Sequence, residues 1–302
     1  MEGEMTDALA ARIRAALPEL ELREEEPLSL HTSFRIGGPA RLLALPGSGE
    51  ELAVLCRLLR SLGEKPLILG NGTNVLAPDE GLDRCVVITA RAEDARITGD
   101  VMEAETGASL TALAATAAKA GLAGLVFAYG IPGTLGGALV MNAGAYGGEI
   151  KDVAEETCLL DEELNERVFR GAEQGFGYRR SAFTGDMVLL SARLRLRPGD
   201  PEILREECRQ LMEKRRTSQP LELPSAGSAF KRPEGAYAAA LIDQAGLKGF
   251  RIGGAMVSGK HAGFIVNAGG ATASDVRRLL DAVRERVLRD SGIALEPEIR
   301  IL

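Results

Sequence analysis

Residues 130–148 read GIPGTLGGALVMNAGAYGG, and they form the centre of an uncharged run of 29 residues, 120–148, nine of which are glycine. The length of this run would suit a membrane-spanning helix, which needs about 20 apolar residues. However, each interior glycine costs a helix about 1 kcal/mol, and a proline such as Pro132 costs about 3 kcal/mol. The composition therefore predicts irregular backbone that lies against a partner, not one continuous helix.

The glycines of this run suggest what that partner is. Glycine has no Cβ, so its backbone can approach a ligand closely and can adopt positive φ. Successive exposed amides make a concavity that binds anions. A phosphate-bearing cofactor and a glycine-rich turn of the core both fit the stretch, and the stretch alone does not decide between them.

A second glycine-containing loop, GNGTNVL at residues 70–76, directly follows a predicted buried strand at 66–69. Two glycines, two amide side chains and a hydroxyl could hold a pyrophosphate, although an ordinary Asn-Gly turn has the same letters. The loop lacks the third glycine of the GxGxxG fingerprint, which disfavours a Rossmann nucleotide site. GAMVSGKH at 254–261 has P-loop spacing, but His261 stands where Ser or Thr should bind magnesium, so we interpret it as a coincidence. Two glycine loops separated by one α/β passage favour a dinucleotide.

The composition limits the class of protein. The chain has 302 residues, a net charge of −7 and 45% hydrophobic residues, which predicts about two soluble domains and disfavours nucleic acid or membrane partners. No export signal is apparent at the acidic N-terminus, and scattered thiols fit a reducing cytoplasm. Only His31 and His261 accompany the cysteines, so no metal site is expected. The four cysteines form no CxxC pair: Cys56, Cys85, Cys158 and Cys208.

Hydrophobic periodicity and capping residues predict the secondary structure. A helix that begins at Asp200-Pro201, with Ile203, Leu204, Cys208, Leu211 and Met212 on one face, marks the candidate domain boundary. The predicted helices cover 6–17, about 48–62, 109–121, 237–245 and 274–290, and the predicted strands 66–69, 85–89, 101–105, about 190–196, 255–257, 264–267 and 298–302.

Three further clusters carry residue types suited to chemistry: GYRRS at 177–181, SAGSAFKRP at 225–233 and EPEIR at 296–300. Their candidates are Arg179, Ser228 and Glu298. On composition alone, each cluster is more often surface charge or a solvated turn.

Taken together and in order, these motifs resemble the UDP-N-acetylenolpyruvoylglucosamine reductase (UDP-N-acetylmuramate dehydrogenase) family. The resemblance rests on HTSFRIGGPA, LGNGTNVL, GIPGTLGG…MNAGAYGGE, GYRRS, RRTSQPLELPSAGSAFKRP, HAGFIVNAGG and EPEIR. It covers Ser29 to the C-terminus, and the short segment after Phe264 resembles the branch without the extra tyrosine-bearing loop.

The resemblance implies an α+β fold in which an FAD-binding domain of the vanillyl-alcohol-oxidase type precedes a smaller substrate domain. The expected division is an N-terminal helix at 1–20, an FAD domain at 21–199 with two α/β subdomains that meet near residue 90, and a substrate domain at 200–302. Whether the last strand returns to the FAD domain is left open.

The resemblance also implies FAD as carrier, NADPH as hydride donor and a UDP-sugar enolpyruvate as substrate, in a cytoplasmic step of peptidoglycan synthesis. The residues implied to bind FAD are Arg35, Gly70, Asn71, Gly72, Thr73, Asn74, Gly130, Ile131, Pro132, Gly133, Thr134, Gly136, Gly137, Asn142, Ala143 and Gly144. The residues implied to bind substrate are Tyr178, Lys231 and Arg232.

Three residues are implied to be catalytic, and the chemistry suits their types. Arg179 would stabilise the charge that develops when a hydride reaches the vinyl carbon, because a guanidinium stays charged and matches a carboxylate. Ser228 would donate a proton to the enolate carbon. Glu298 would orient the reacting group or donate to the developing enolate.

Some positions depart from the family pattern, and two other functions stay open. Ser218 stands where some relatives have lysine, Arg232 where others have asparagine, and Tyr129 where a small residue is expected. The alternatives are an FAD-dependent oxidase of a small alcohol or hydroxy acid on the same fold, and a nucleotide-binding module without turnover. The sequence does not indicate an oligomeric state.

Overall fold

The computed structural model describes residues 2–302, with side chains from Thr6 onward. The chain forms two compact units. The first unit contains the chain up to Glu25, Arg41–Asn71 and Asp83–Glu213, and the second contains Glu26–Ala40, Gly72–Leu82 and Lys214–Leu302. The domain limits that we expect from the sequence stay a prediction.

Seven α-helices lie within residues 2–302, and their starts follow local sequence signals. Ser48 Oγ accepts the N–H of Glu51 at 3.1 Å, and Ser109 Oγ accepts that of Ala112 at 3.4 Å, as expected of N-cap serines. The helices are α1 (Glu2–Ala16), α2 (Gly49–Ser61), α3 (Leu110–Lys119), α4 (Leu135–Met141), α5 (Pro201–Ser218), α6 (Ala238–Gln244) and α7 (Ala273–Ser291).

The strands of the described chain are mostly short. In chain order they are β1 (Glu21–Pro27), β2 (Pro39–Leu45), β3 (Leu67–Leu69), β4 (Val75–Leu76), β5 (Leu82–Ile88), β6 (Ala95–Thr98), β7 (Val101–Glu105), β8 (Leu122–Ala123), β9 (Gly144–Ala145), β10 (Gly148–Glu149), β11 (Ala154–Leu160), β12 (Glu166–Arg170), β13 (Val188–Arg195), β14 (Arg197–Pro198), β15 (Ser225–Ser228), β16 (Arg251–Ile252), β17 (Ala255–Val257), β18 (Phe264–Asn267) and β19 (Arg300–Ile301).

The first unit is built on two sheets. One has the strand order β1-β2-β5-β3, with β3 parallel to β5, and the apolar faces of α1 and α2 contribute to its core. The other is antiparallel, with the order β12-β11-β13-β7-β6, and residues of α3 and α4 are buried in the same core as its central strands. Alternating buried residues along β13 explain why the sequence pattern predicted a half-exposed strand there.

The second unit joins a four-stranded antiparallel sheet, β15-β18-β17-β16, to helices α6 and α7. Val276, Leu279, Leu280, Val283 and Val287 form the buried stripe of α7, as their spacing predicted. The terminal strand β19 pairs in parallel with β4, which directly follows the GNGTN loop, and this pairing lies within the second unit.

Two sequence-based details need correction. Ile203 is 59% exposed, so it does not share the buried face of α5 with Leu204 and Cys208. The predicted final strand at 298–302 is regular only at Arg300–Ile301. The glycine-rich run contains one α-helix, the seven-residue α4, and otherwise only turns and elements of two or three residues, in agreement with the predicted irregular backbone. No helix among residues 2–302 is long and apolar enough to cross a membrane.

Candidate active site

Gly70, which begins the first glycine loop, contacts the second glycine loop inside the first unit. A Cβ placed on Gly70 would lie 2.2 Å from Thr134 Oγ1, so only glycine permits this approach. The start of the first loop and Thr134 of the second are therefore neighbours within this unit. Backbone amides and the hydroxyl of Thr134 at this contact are groups of the kind that bind a pyrophosphate, which fits the predicted FAD.

Backbone and hydroxyl contacts hold the loop 130–134 against the start of α3. The carbonyl of Gly133 accepts the N–H of Leu110 at 3.1 Å. Thr111 Oγ1 accepts the N–H of Gly130 at 3.2 Å and donates to the carbonyl of Ile131 at 3.2 Å. Because Gly130 and Gly133 have φ of 80° and 126°, the loop takes a course that other residues rarely adopt. The loop is thus preformed by the protein itself.

Packing requires glycine at only one position of the glycine pair at the start of α4. The N–H of Gly136 donates to the carbonyl of Thr106 at 2.8 Å, and a Cβ at 136 would come within 2.9 Å of the Thr106 side chain. At Gly137 the nearest atom to an added Cβ is 3.7 Å away, which is ordinary contact. Packing explains Gly136, whereas nothing in the described protein requires glycine at 137.

Asn142 ends α4 in the left-handed conformation, with φ of 42°, and is 0% exposed. Its side-chain amide donates to the carbonyl of Gly177 at 2.9 Å and to Glu149 Oε2 at 3.1 Å. Its Oδ1 accepts the N–H of Lys151 at 3.1 Å. The side chain of this predicted FAD residue is thus occupied by protein groups.

The segment after Asn142 is a small hairpin, β9 and β10, with Tyr146 and Gly147 at its tip. A Cβ on Gly148 would lie 2.7 Å from the ring of Phe127, and one on Gly144 would lie 2.7 Å from Glu149 Cγ. Packing therefore explains Gly144 and Gly148, whereas Gly147 has free space around it and a φ of 87°, a backbone conformation that favours glycine.

Arg179 lies in a tight turn, residues 177–180, which we call the Arg179 turn. Gly177 and Arg180 exchange backbone hydrogen bonds of 2.9 and 3.3 Å across its base. Arg179 has φ of 52°, a strained conformation for a residue with a side chain and one that recurs at functional sites. Its Nη2 donates to the carbonyl of Gly144 at 3.0 Å, and its guanidinium lies 5.0 Å from the centre of the Tyr178 ring.

The Arg179 turn and the hairpin enclose a cleft of about 360 Å³. Its charged groups include the Glu149–Lys151 ion pair, at 2.5 Å. Hydrogen bonds from Lys151 and Asn142 and the nearby charge of Arg179 lower the pKa of Glu149. The cleft is lined by residues 144–149, Lys151, Asp152, Tyr178 and Arg179. An anion that enters it would meet Arg179 with Glu149 already neutralised by Lys151.

Ser228 lies in the second unit, at the end of β15, where a bulge redirects the strand. Ser225 pairs with Val266 and Ser228 with Phe264, so β15 has one residue more than its partner between the two pairs. Gly227, with φ of 75°, accommodates this extra residue. The bulge leaves Ser228 exposed next to the buried Ala229.

Glu298 is held beside this bulge. Its N–H donates to the carbonyl of Ala229 at 2.9 Å, and Phe230 and Pro297 form the next bridge. The side-chain amide of Asn74 donates to the carbonyl of Glu298 at 3.2 Å. The structure therefore places Glu298 on a stretch of backbone next to the end of β15, which carries Ser228, in the second unit, while Arg179 belongs to the first.

The predicted substrate residues of the second unit make local contacts. Lys231 forms an ion pair with Glu296. The guanidinium of Arg232 lies over the ring of Tyr237, 4.0 Å from its centre, which gives the departure from asparagine a local partner. Arg35 is exposed, with φ of 55°, in the same unit.

The other two departures also have local explanations. Tyr129 packs against the cluster formed by Ala118, Leu204 and Cys208, so its larger ring fills space beside α5. Ser218 is exposed at the end of α5, where its hydroxyl donates to the carbonyl of Lys214 at 2.6 Å. Neither contact involves a residue that we expect to be catalytic.

The sequence analysis missed residues whose hydroxyl groups hold the loops of the site in place but which are not expected to be catalytic. Thr111 belongs to no motif, and Ser181 ends the GYRRS motif, which gives no indication of its role. Ser181 Oγ donates to the carbonyl of Val140 at 2.9 Å, across 41 residues of chain. Such partners depend on tertiary packing, and a single sequence contains no period or spacing that reveals them.

Metal and thiol chemistry find no support in the described residues. No group of three or more His, Cys, Asp or Glu side chains in the part of the chain that the structure describes could hold a metal ion. Burial raises the pKa of the Cys56 and Cys85 thiols to about 12, so neither is a thiolate at neutral pH. Residues 255–257 of the near-miss P-loop form strand β17 of an antiparallel sheet.

Two family models match separate parts of the chain. A model described as the C-terminal domain of UDP-N-acetylenolpyruvoylglucosamine reductase matches residues 219–302. A model described as an FAD binding domain matches residues 40–161, which include both glycine loops.

Known proteins resemble the chain over nearly its whole length. A UDP-N-acetylenolpyruvoylglucosamine reductase of Caldanaerobacter subterraneus subsp. tengcongensis is 45% identical over 299 residues, 99% of each chain. One from Lactococcus lactis subsp. cremoris is 42% identical and covers 95% of this chain and 96% of its own. The crystal structure of the Thermus caldophilus enzyme matches with a TM-score of 0.80 and 35% identity, over 94% of this chain and 98% of that one. The predicted α+β fold class with an FAD-binding domain is confirmed.

Proposed function

The chain belongs to the UDP-N-acetylenolpyruvoylglucosamine reductase family, and from this membership we propose that it reduces UDP-N-acetylglucosamine enolpyruvate to UDP-N-acetylmuramate. NADPH is the hydride donor and FAD the carrier. The reaction supplies a peptidoglycan precursor in the cytoplasm, and through it cell-wall growth, cell shape and division.

The geometry that favours this function is the exposed hydroxyl of Ser228 on a strand that neighbours Glu298. An enol ether that accepts a hydride at one carbon needs a proton at the other, and a hydroxyl with a carboxyl nearby is the pair for that task. A module that only binds nucleotides would have no use for a bulge that exposes a serine here.

FAD, when bound, supplies the two-electron chemistry that links NADPH to the sugar nucleotide. The residues that would hold it include Gly70 and Asn71 and the backbone of residues 130–137, all in the first unit. Their glycines allow close approach, and Thr134 and Thr111 fix the second loop from behind. Asn142 and Gly144 would support these loops through the end of α4.

Arg179 would bind the carboxylate of the enolpyruvyl group and stabilise the negative charge that develops on it. A guanidinium presents parallel donors to a carboxylate, and it stays protonated at every working pH. Its strained backbone and its bond to the Gly144 carbonyl hold it ready before substrate arrives. Preorganised donors of this kind lower the barrier because they need no rearrangement during the reaction.

Ser228 would donate a proton to the enolate carbon, and Glu298 would orient or replenish that proton. A serine hydroxyl is a weak acid, so this role demands close geometry and a route for reprotonation. The two hydrogen bonds that hold the Glu298 backbone, from its N–H to Ala229 and from Asn74 to its carbonyl, fix the residue from both sides.

Anaerobic titration tests the proposal. Purified holoprotein should be yellow, should bleach with NADPH, and should regain its colour on addition of UDP-N-acetylglucosamine enolpyruvate without oxygen. Bleaching by a small alcohol or hydroxy acid instead of NADPH would support the oxidase. Flavin that never responds to the sugar nucleotide contradicts the proposed reaction.

A further inference from the structure

Arg179 is held by one end of one short helix. Three residues at the C-terminal end of α4 and just beyond it contact the chain between Gly177 and Ser181. Val140 accepts the hydroxyl of Ser181 at 2.9 Å, and Gly144 accepts Nη2 of Arg179 at 3.0 Å. The third contact comes from Asn142, which lies between Val140 and Gly144 along the chain and whose side-chain amide donates to the carbonyl of Gly177 at 2.9 Å.

Asn142 is the only one of the three whose side chain makes the contact. Gly177 is the first residue of the Arg179 turn, and its carbonyl also accepts the N–H of Arg180 at 3.3 Å. The amide of Asn142 therefore fixes the base of the turn from outside. Since Asn142 is 0% exposed, water cannot readily replace this bond.

The same side chain fixes the acidic wall of the cleft. Its second amide hydrogen is donated to Glu149 Oε2, and its oxygen accepts the N–H of Lys151. Asn142 thus joins the base of the Arg179 turn to the Glu149–Lys151 pair. Both hydrogens of its amide are used by protein acceptors, which leaves no side-chain donor for a cofactor.

We propose that Asn142 is a positioning residue that sets the orientation of Arg179 toward the substrate. The proposal rests on the function given above, in which Arg179 acts in the step that uses the sugar nucleotide. Asn142 transmits its effect through Gly177 and touches neither substrate nor cofactor through its side chain.

Two substitutions separate the side chain from the backbone. Asn142→Gly removes all three side-chain bonds but suits a φ of 42°. Asn142→Asp keeps the size and the acceptor for Lys151, but it turns an oxygen toward Gly177 and Glu149, which are both acceptors. Thr157→Val is the matched control, because it removes one fully buried side-chain bond of the first unit, from Thr157 Oγ1 to Gln174 Oε1 at 2.7 Å.

The experiment measures the two half-reactions of the holoprotein by rapid mixing without oxygen. In Asn142→Gly and Asn142→Asp, flavin content and bleaching by NADPH should stay within about twofold of the unsubstituted protein. Recovery of colour by the enolpyruvyl sugar nucleotide should slow at least about tenfold, the effect of losing one to two buried hydrogen bonds. Thr157→Val should slow neither step.

A double-substitution cycle distinguishes positioning from a general loss of structure. Arg179→Lys should slow recovery, and adding Asn142→Gly should slow it by no more than about two- to threefold further, since one function is lost only once. Multiplicative effects, equal loss of both half-reactions, or loss of flavin from both Asn142 variants would each overturn the proposal. An unsubstituted protein that bleaches but never recovers with the sugar nucleotide would instead refute the proposed function, and this inference with it.

Discussion

The side-chain nitrogen of Asn74 lies 3.2 Å from the backbone carbonyl oxygen of Glu298 and donates a hydrogen bond to it. The carbonyl of Asn74 in turn accepts the N–H of Arg300 at 3.0 Å. A residue predicted from its motif to bind FAD thus also holds both the predicted catalytic glutamate and the start of the last strand, β19, which follows it.

The two hydrogen bonds that Asn74 makes to Glu298 and Arg300, which we call the clamp, predict that the last three residues are needed for activity although none of them is expected to be catalytic. Ending the chain after Ile299 removes the pairing of β19 with β4, including the bond from Leu302 N to the Leu76 carbonyl at 3.0 Å. We expect colour recovery with the sugar nucleotide to slow at least about tenfold, because Glu298 loses the strand that follows it. Bleaching by NADPH should change little. Unchanged recovery in a folded, yellow truncated protein would show that the clamp has no function.

The adjacent glycines of α4 should respond differently to alanine. Gly137→Ala meets no protein atom closer than 3.7 Å and adds helix propensity, so the apoprotein should be as stable as before or gain up to about 1 kcal/mol. If FAD approaches this residue, its binding should nevertheless weaken.

Gly136→Ala is the matched comparison. Its Cβ would lie 2.9 Å from the Thr106 side chain, so it should destabilise the apoprotein by about 1–3 kcal/mol. Thermal unfolding with and without FAD measures both effects. Equal flavin affinity in Gly137→Ala and the unsubstituted protein would remove Gly137 from the cofactor site.

Glycine should be required at position 227 because of the backbone conformation of the bulge and not because a side chain would lack space. No atom lies within 4 Å of a Cβ built there, but φ is 75°. Gly227→Val should cost at least about 1–2 kcal/mol of stability and redirect Ser228, which slows reoxidation by the sugar nucleotide. Gly227→Asn should recover much of the activity, because asparagine tolerates this region of φ and ψ. Denaturant unfolding and half-reaction rates check both points, and equal rates in Val and Asn variants would contradict the explanation.

Ser228→Ala should separate the two half-reactions. The hydroxyl is exposed, so its loss should leave stability within about 0.5 kcal/mol. Bleaching by NADPH should stay fast, whereas recovery with the enolpyruvyl sugar nucleotide should fall by several orders of magnitude because the carbon loses its proton source. If both rates fall equally, Ser228 has a structural role and the proton comes from elsewhere.

The start of α7 predicts how stability depends on pH. Hydrogen bonds from the N–H groups of Gly254 and Thr272 and from Arg278 lower the pKa of Asp275. A lowered pKa stabilises the fold above the unfolded carboxyl value of about 3.9, and this contribution disappears as pH falls through the lower folded value.

Asp275→Asn should therefore unfold more easily than the unsubstituted protein at pH 7, by about 1 kcal/mol or more for a disrupted capping box. The difference should shrink steadily below pH 4. Urea unfolding across this range measures it, and a gap that does not depend on pH would show that the charge of Asp275 is unimportant.

Much of the fold was accessible from the sequence because its signals are local. Ser48 and Ser109 cap their helices, and the stripe Val276 to Val287 faces a core, since these features depend only on residues within a few positions. Ile203 was misplaced because a helical period does not reveal where the edge of a buried face lies. The ordered motifs were sufficient to identify the family.

The sequence by itself determined six of the seven helices of residues 2–302, the glycine loops and the chemical types of Arg179, Ser228 and Glu298, but it did not predict α4 or the strands β1, β2, β11 and β12. Only the tertiary structure decided that Asn142 bonds Gly177, 35 residues away, and that Asn74 bonds Glu298, 224 residues away. It also distinguished Gly136, which packing requires, from Gly137, which it does not. The physical reason is that a cap or a period is set by neighbours along the chain. The partner of a buried amide, by contrast, is set by which distant segments fold against it.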